Sequence, residues 1–249
     1  MFQEGNAVVY NNEIHILGGL YSKTNHYKWN GTSWTSISTL PYSFRDGSVV
    51  IFNNEIHILG STETAGNLAH YKWNGTSWIS VSTLPHQFYD GGAVVYNNGI
   101  HIIGGGNHTG GNFRWNGSAW TQLTGVGYTF LSGCACVVDN AIHVIGGTAY
   151  SYHYKWSGTD WVQLTATPYT FANGSVIVYN EEIHMFGTSS AGNQNKHYKW
   201  NGTSYVALNE LPFQFYHGDA VLYNGLFHLL GGLSAKQHFC LDGQIYYQN

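Results

Sequence analysis

Six histidines recur at nearly equal intervals along this chain of 249 residues. They are 42, 44, 42, 41 and 44 residues apart, at His15, His57, His101, His143, His184 and His228. Imidazoles can bind metal ions or transfer protons, but each of these stands within an apolar string, such as Ile14–Gly19. To form a ring of metal ligands, the six histidines would have to converge on the central axis of the repeats. We expect the first strand of each repeat to line that axis, whereas the histidines lie on the second strand. The pattern therefore predicts buried histidines hydrogen-bonded to the backbone, with no metal site, no cofactor and no catalytic role.

The other residues with metal-binding side chains are interpreted in the same way. A second histidine series precedes an aromatic residue in most repeats, at His26, His70, His153, His197 and His238. Cys134 and Cys136 are two residues apart on a predicted strand, so they share a face but cannot form a disulfide without distorting it. Cys240 belongs to a distant repeat. A metal site at Cys-x-Cys would need two more ligands, so we expect reduced, buried thiols.

The equal spacing means that the elements carrying the histidines are copies of one unit. In residues 44–87, strand-like runs are Ser48–Phe52, Glu55–Gly60, His70–Trp73 and Trp78–Ser82, separated by turn residues such as Asn-Asn and Asn-Gly. Four antiparallel strands, repeated six times, predict an all-β, six-bladed β-propeller in one domain, 1–249. The expected blades are 1–43, 44–87, 88–129, 130–170, 171–214 and 215–249.

The spacing within the repeats predicts which face binds. Thirteen residues separate the phenylalanine that opens each repeat from its histidine in every copy, whereas the segment from that histidine to the third strand varies in length. In an antiparallel blade, this variable loop and the connection between blades lie at the same end. Because loops on a rigid scaffold carry function, we place the binding face there.

The repeated motifs resemble the kelch repeat. A glycine doublet follows the second strand, then come a tyrosine, a tryptophan across a short turn, and Leu-Pro, as in Gly18-Gly19, Tyr27, Trp34 and Leu40-Pro41. The sequence departs from the family pattern at Gly60-Ser61 and Gly187-Thr188, and histidine replaces the usual second-strand tyrosine. The resemblance implies a propeller with a central channel and, for most members, protein binding. A few relatives are enzymes, notably galactose oxidase and a sialic acid mutarotase.

The strongest candidate site is the pair of residues after each opening phenylalanine, because these residues differ while their surroundings repeat. We expect them at the channel mouth, with the aromatic residues just before each phenylalanine completing a ring. Aromatic faces with amides and carboxylates suit a sugar or a peptide; the alternative is that they only pack the loops. The predicted ligand-binding residues are Arg45, Asp46, Tyr89, Asp90, Asn173, Tyr216 and His217, with Tyr42, His86, Tyr128 and Tyr169.

Catalysis has little support in the sequence alone. Asp46 and Asp90 occupy equivalent places in neighbouring repeats and could face one another, but no nucleophile or third group is placed beside them. We therefore expect a module that is not an enzyme and that binds a protein, a peptide or a glycan. The alternatives are a carbohydrate-active kelch enzyme, of the oxidase or mutarotase type, and a recently amplified or engineered scaffold without a ligand.

Composition excludes several classes of partner. Charged residues make up only 9% of the chain and the net charge is −4, so there is no basic footprint for nucleic acid. No run approaches the ~20 apolar residues that a membrane span needs, and we expect no membrane insertion. The charge gives no reason to expect assembly, so a monomer is predicted.

Overall fold

A computed structural model describes residues 2–64, 66–232, 238–241 and 246–248, the last three as backbone strand only. Strands of the first three blades are β1 Asn6–Tyr10, β2 Glu13–Leu17, β3 Asn25–Trp29, β4 Trp34–Thr39, β5 Ser48–Phe52, β6 Glu55–Leu59, β7 Ala69–Trp73, β8 Trp78–Thr83, β9 Gly92–Tyr96, β10 Gly99–Ile103, β11 Asn112–Trp115 and β12 Trp120–Leu123. Strands of the last three blades are β13 Cys134–Val138, β14 Ala141–Ile145, β15 His153–Trp156, β16 Trp161–Gln163, β17 Ser175–Tyr179, β18 Glu182–Phe186, β19 His197–Trp200, β20 Tyr205–Ala207, β21 Gly218–Tyr223, β22 Leu226–Gly231, β23 His238–Leu241 and β24 Tyr246–Gln248.

Each blade is a sheet of four consecutive antiparallel strands. The predicted all-β, six-bladed propeller is therefore confirmed. The register repeats from blade to blade: the histidine of each second strand lies opposite the same position of the first strand, as in Val8↔His15 and Val50↔His57. The first strands lie together around the centre, where β1 contacts β5 and β21. Over the described residues there is no helix of the length and apolarity needed to cross a membrane.

The hydrophobic core lies between neighbouring blades. One cluster joins Phe52 and Leu59 of the second blade to Phe88, Ile100 and Ile102 of the third. The phenylalanine that opens a blade is fully buried at positions 44, 88, 130, 171 and 215. Burial of one such ring stabilises the fold by about 2–3 kcal/mol, so each phenylalanine attaches its blade to the preceding one.

The glycine doublet that follows each second strand exists because two blades approach closely there. Gly18 has a φ of 63°, and a Cβ on it would overlap the carbonyl oxygen of Phe44 in the next blade. The N–H of Gly19 donates to that same carbonyl at 2.8 Å. Where serine replaces the second glycine, the Ser61 hydroxyl bonds to the segment that leads into its own blade, donating to the carbonyl of Ser43 at 2.8 Å and accepting from the N–H of Arg45 at 3.1 Å.

The ring closes between the last and first blades by the same contact. A Cβ on Gly231 would overlap the carbonyl oxygen of Phe2, and the N–H of Gly232 donates to that oxygen at 3.2 Å. No strand of the first blade pairs with a strand of the sixth among the described residues. Closure therefore rests on loop hydrogen bonds and side-chain packing, without a shared sheet.

The two histidine series bond chiefly to each other, not to the backbone as expected. The Nδ1 atom of the second-strand histidine lies 2.6–3.0 Å from the Nε2 atom of the third-strand histidine in five blades: His15–His26, His57–His70, His143–His153, His184–His197 and His228–His238. In the third blade Asn112 takes the second place, 3.5 Å from His101. The pairs are buried in the core and do not line the channel, so they take no part in binding a ligand at its mouth.

The histidine pairs also connect neighbouring blades. The Nδ1 atom of His26 lies 2.9 Å from the hydroxyl oxygen of Ser38, and the indole N–H of Trp78 in the next blade donates to that oxygen at 3.2 Å. His70, Ser82 and Trp120 repeat the arrangement. These chains satisfy polar groups that would otherwise be unpaired in the core.

Hairpin turns between first and second strands have two residues with positive φ, as a type I′ turn requires. Most copies use Asn, Asp or Gly, but Glu181 stands at the second position with a φ of 61°. The variant Glu181→Gly is expected to stabilise the protein by about 1 kcal/mol, because glycine removes the left-handed strain. Chemical denaturation measures the change, and Asn12→Gly, where asparagine already tolerates this conformation, should have a smaller effect. A loss of stability in Glu181→Gly would contradict this account of the turn.

Candidate functional site

A channel runs along the propeller axis and opens on the face that carries the variable loops. Its cavity volume is about 210 Å³. The wall consists of the first strand of each blade and the residues just before it. Two layers of six equivalent residues contribute the polar groups. The outer layer, here called the mouth ring, comprises Glu4, Asp46, Asp90, Ser132, Asn173 and His217; the inner layer, the channel layer, comprises Asn6, Ser48, Gly92, Cys134, Ser175 and Asp219.

A closed circle of backbone hydrogen bonds holds the mouth ring. The N–H of each member donates to the carbonyl of the member in the preceding blade at 2.7–2.9 Å, and Glu4 completes the circle by donating to His217. All six residues have φ between 52° and 59°. Asn, Asp and His are the non-glycine residues that most often adopt this conformation. The circle therefore fixes six polar side chains, of five residue types, around the channel before any ligand arrives.

The side chains of the mouth ring form an ionic network on one side. The Arg45 Nε atom lies 2.8 Å from a Glu4 carboxylate oxygen and 3.1 Å from an Asp46 oxygen. The His217 Nδ1 atom is 3.8 Å from the other Glu4 oxygen. The Ser132 hydroxyl is 3.5 Å from an Asp90 oxygen. Arg45 thus contacts two carboxyl groups, and Asp90 adds a third carboxyl group to this side of the mouth, which leaves it rich in negative charge.

This crowding shifts the acidity of the carboxyl groups. Burial, then the charges of Asp90 and Glu4, raise the pKa of Asp46 to about 7, against the opposing effect of Arg45. Burial also raises the pKa of Asp90, although the hydrogen bond from Ser132 opposes it. Asp46 can therefore hold a proton near neutral pH next to the Asp90 carboxyl group, which is the arrangement needed for combined acid and base chemistry.

The shift at Asp46 predicts a pH-dependent effect of Asp46→Asn. The native group binds its proton more tightly than the unfolded chain, so its stabilisation is complete below pH 3.8 and is lost as the pH rises through about 7. At pH 8 the variant is expected to be more stable than the native protein by on the order of 2 kcal/mol, since asparagine mimics the protonated carboxyl and tolerates positive φ. That advantage should shrink by about 1 kcal/mol at pH 6.

Urea denaturation at the two pH values measures the effect of Asp46→Asn. The control is Glu55→Gln, which neutralises a carboxylate at the opposite end of the second blade, paired with Lys72. An Asp46→Asn variant that is less stable than the native protein at pH 8 would show that the ion pair with Arg45 outweighs burial.

The channel layer contains Asp219, a residue that joins three blades. One of its oxygens accepts hydrogen bonds from the Ser175 hydroxyl at 3.0 Å and the Ala220 N–H at 2.8 Å; the other accepts from the Ala7 N–H at 2.7 Å. Burial raises its pKa to about 6 despite these bonds. Ala7 lies in the first blade, so this carboxylate also helps to close the ring. The side-chain oxygen of Asn6 is buried nearby without a hydrogen-bond partner.

The structure divides the predicted site residues into three groups. Asp46, Asp90, Asn173 and His217 line the channel as expected. Arg45 contacts them from the side, while Tyr89 and Tyr216 are half-buried and do not line the cavity.

The predicted aromatic ring around the mouth does not form. Tyr42 and Tyr128 donate their hydroxyls to the carbonyls of Gly60 and Gly146 at 3.2 and 3.0 Å, and the His86 ring bonds the carbonyl of Gly104 at 3.2 Å. Tyr169 holds the equivalent place, with a buried hydroxyl. These four residues pack beneath the loops, each against an aromatic ring in the third strand of the next blade: Tyr71, Phe113, Tyr154 and Tyr198. Burial raises the pKa of all three tyrosines.

Sequence reasoning missed one residue of the site, Asp219, which lies one layer deeper than the mouth ring. Glu4 and Ser132 belong to the mouth ring as the second residues of their predicted pairs, although they were not among the ligand-binding residues named from the sequence. Asp219 is four residues after Phe215, the spacing that places Ser48 and Ser175 after their own phenylalanines. Counting outward from each phenylalanine would have found it.

The cysteines are not joined by disulfides. Cys134 lies in the channel layer, where its thiol donates to the carbonyl of Gly174 at 3.3 Å. Burial raises the pKa of the Cys134 thiol and raises that of Cys136 to about 12. Neither thiol is therefore activated as a nucleophile.

Comparisons with known proteins establish the fold. No protein-family model matches the sequence, and no curated protein matches it. Among solved structures, the chain is similar to that titled "Structure of YjhT", with a TM-score of 0.82 and 14% sequence identity, over 100% of this chain and 97% of that one. This likeness confirms the six-bladed propeller, whereas the kelch resemblance stays a prediction from the sequence.

The comparison also corrects the exclusion of enzymes: the prediction that the chain is not an enzyme is wrong. The chain has the same fold as YjhT along its whole length, and enzymatic activity is possible in this fold. The sequence argument failed because it required a nucleophile, whereas coupled carboxyl groups can act as acid and base without one.

Proposed function

We propose that the channel mouth binds a small neutral sugar, either free or at the end of a glycan. The observation that carries this proposal is the mouth ring: six polar side chains of five residue types, held by a closed circle of backbone hydrogen bonds around a cavity. A rigid site loses little conformational entropy on binding, so hydrogen bonds to a small ligand translate into affinity.

The chemistry of the mouth ring fits hydroxyl groups. Carboxylates accept hydrogen bonds, Arg45 donates them, and the side chains of Ser132, Asn173 and His217 can do both. The excess of carboxyl groups over Arg45 disfavours an anionic ligand. The cavity, about 210 Å³, is smaller than the ~300–1,000 Å³ of pockets for drug-sized ligands. A single neutral sugar ring suits both properties.

Saturation-transfer NMR and calorimetry with neutral, amino and acidic monosaccharides test the proposal. Binding should be restricted to neutral or amino sugars, and Asp90→Asn should weaken it about 10-fold or more, since a hydrogen bond to a charged group contributes about 1.5–3 kcal/mol. The control Glu55→Gln, at the opposite end of its blade, should bind as the native protein does. Equal weakening by both variants, or no binding of any sugar, would contradict the proposal.

Acid–base catalysis on the bound sugar is the second candidate, supported by the raised pKa of Asp46 beside Asp90. In ring opening, one carboxylate takes the proton of the anomeric hydroxyl while the other carboxyl gives its proton to the ring oxygen, and the ring C–O bond breaks. Closure on the other face yields the second anomer with both protons returned. Exchange NMR of anomers measures this activity, and Asp46→Asn should abolish the acceleration. Unchanged acceleration in that variant would exclude this role.

A protein or peptide partner is the competing class, and the loop face offers one observation in its favour. Tyr21 and Leu68, in the variable loops of neighbouring blades, are 63% and 40% exposed. The Lys23–Glu63 ion pair joins the same loops at 2.8 Å. Affinity capture that is lost in a Tyr21→Ser/Leu68→Ser variant, with sugar binding absent, would favour this class. If sugars and proteins all fail to bind, the ligand-free scaffold becomes the better description.

A further inference from the structure

The sixth blade departs from the other five at the histidine pair. The position opposite the second-strand histidine is a cation in blades one to five, Lys28, Lys72, Arg114, Lys155 and Lys199, but is Cys240 in blade six. In blade one, Lys28 reaches outward to Glu13 at 2.9 Å. Blade six has neither residue of this ion pair, since Cys240 replaces the lysine and Leu226 replaces the glutamate. A short thiol therefore remains beside the imidazoles.

The thiol and the two imidazoles converge. The Cys240 Sγ atom is 3.3 Å from Nδ1 of His228 and 4.0 Å from Nε2 of His238, and the two nitrogens are 2.6 Å apart. Within the part of the chain that the structure describes, these residues form a group whose ligand atoms all lie within 4.8 Å of one another. The side chains are at most 9% exposed.

We propose that His228, His238 and Cys240 bind one zinc ion. Zn–N bonds of ~2.0–2.1 Å and a Zn–S bond of ~2.3 Å place ligand atoms about 3.3–3.6 Å apart in a tetrahedral site. The sulfur already has nearly these separations from both nitrogens. The two nitrogens must separate by about 0.7 Å on the same geometry, which breaks their hydrogen bond, and the sulfur must move about 0.4 Å closer to Nε2 of His238.

The donor set and its surroundings select this class of metal. One thiolate and two neutral imidazoles suit zinc better than the oxygen-seeking ions magnesium or calcium. Binding forms the Zn–S bond as the thiol releases its proton to solvent. The proton that one of the two facing nitrogens carries in their hydrogen bond moves to the other nitrogen of the same ring, so both imidazoles stay neutral and coordinate through unprotonated nitrogens. The His228 ring also hydrogen-bonds the backbone of Tyr223, a partner that would orient it. The fourth position is left for water, as in zinc sites with three protein ligands.

Metal analysis of the purified full chain tests the proposal. After chelation and reloading, the native protein should hold one zinc ion, and cobalt in its place should give a thiolate-to-metal charge-transfer band. Excess zinc should raise the Tm by about 5 °C or more. In Cys240→Ser the charge-transfer band should disappear and the affinity should fall by more than about 100-fold.

Two further variants keep the test decisive. Cys134→Ser is the control, because serine occupies the same place in the channel layer in blades two and five, and it should retain the zinc ion. Lys155→Cys creates the same triad in blade four, where His143 and His153 are 2.8 Å apart, and should bind a second ion. Zinc retained by Cys240→Ser would overturn the proposal. If that variant does not fold, the absence of a second ion in folded Lys155→Cys would do so.

Discussion

Acidification from pH 7 to pH 5 is expected to unfold this protein cooperatively. Burial lowers the pKa of twelve of its fourteen histidines, to about 4 in second strands such as His15 and about 3 in third strands such as His26. In the unfolded chain a histidine titrates near 6.5. The unfolded state therefore gains protons between pH 6.5 and 4 that the native state does not accept, and stability falls as the pH falls.

The free energy of unfolding is expected to fall steeply as the pH falls, because these histidines all gain protons together on unfolding. Each additional proton on the unfolded chain costs about 1.4 kcal/mol of stability per pH unit. Three aspartates with a raised pKa oppose this loss of stability but are fewer than the histidines: Asp46, Asp90 and Asp219. Net uptake of about five or more protons would remove 7 kcal/mol per pH unit, enough to exhaust a stability of about 5–15 kcal/mol within roughly two units.

Urea denaturation between pH 7.5 and 5.5, followed by tryptophan fluorescence, measures this slope. The variant His70→Asn reproduces the arrangement of blade three, where Asn112 replaces the third-strand histidine, and should lower the proton uptake by about one. An unfolding free energy that stays constant down to pH 5.5 would show that the imidazole pairs accept protons in the folded protein.

The second large effect is expected at the glycines that touch the next blade. Gly187 has a φ of 60°, and a Cβ there would overlap the carbonyl oxygen of Phe215. Because that oxygen belongs to the backbone of the sixth blade, the clash cannot be relieved by rotating a side chain. Gly187→Ala is expected to cost about 3–5 kcal/mol, the range of severe core defects.

Gly202→Ala is the matched control. Gly202 also has a positive φ, 98°, but no atom lies within 4 Å of the position of its Cβ. Its cost should be only the conformational penalty, about 1–2 kcal/mol. Thermal and urea denaturation of the two variants isolate the contribution of blade-to-blade contact. Equal losses in both would mean that the blades can separate slightly without penalty.

The periodic sequence was sufficient to predict the architecture. Repetition of the histidine, the glycine doublet and the phenylalanine at constant spacings defines a local unit, and each unit can bury its faces only against its neighbours. The strand order, the blade number and the placement of Asp46, Asp90, Asn173 and His217 at the channel followed from this regularity, because equivalent residues must take equivalent places.

The tertiary structure decided what the regular spacing could not. Tyr42, His86, Tyr128 and Tyr169 have side chains suited to ligand contact, yet each packs against a third-strand aromatic ring of the next blade, a contact that forms only on folding. Coupling of Asp46 with Asp90 and Glu4 likewise depends on distances between blades, and these set its pKa.

The histidines illustrate the division most clearly. Their spacing determined that the chain is a propeller of six copies and that these side chains belong to its core. Only the folded chain decided that they bond to each other across adjacent strands, and that Cys240 meets one such pair. The physical reason is that periodicity records which residues are equivalent, whereas chemistry depends on atoms from different strands and blades that come together only after folding.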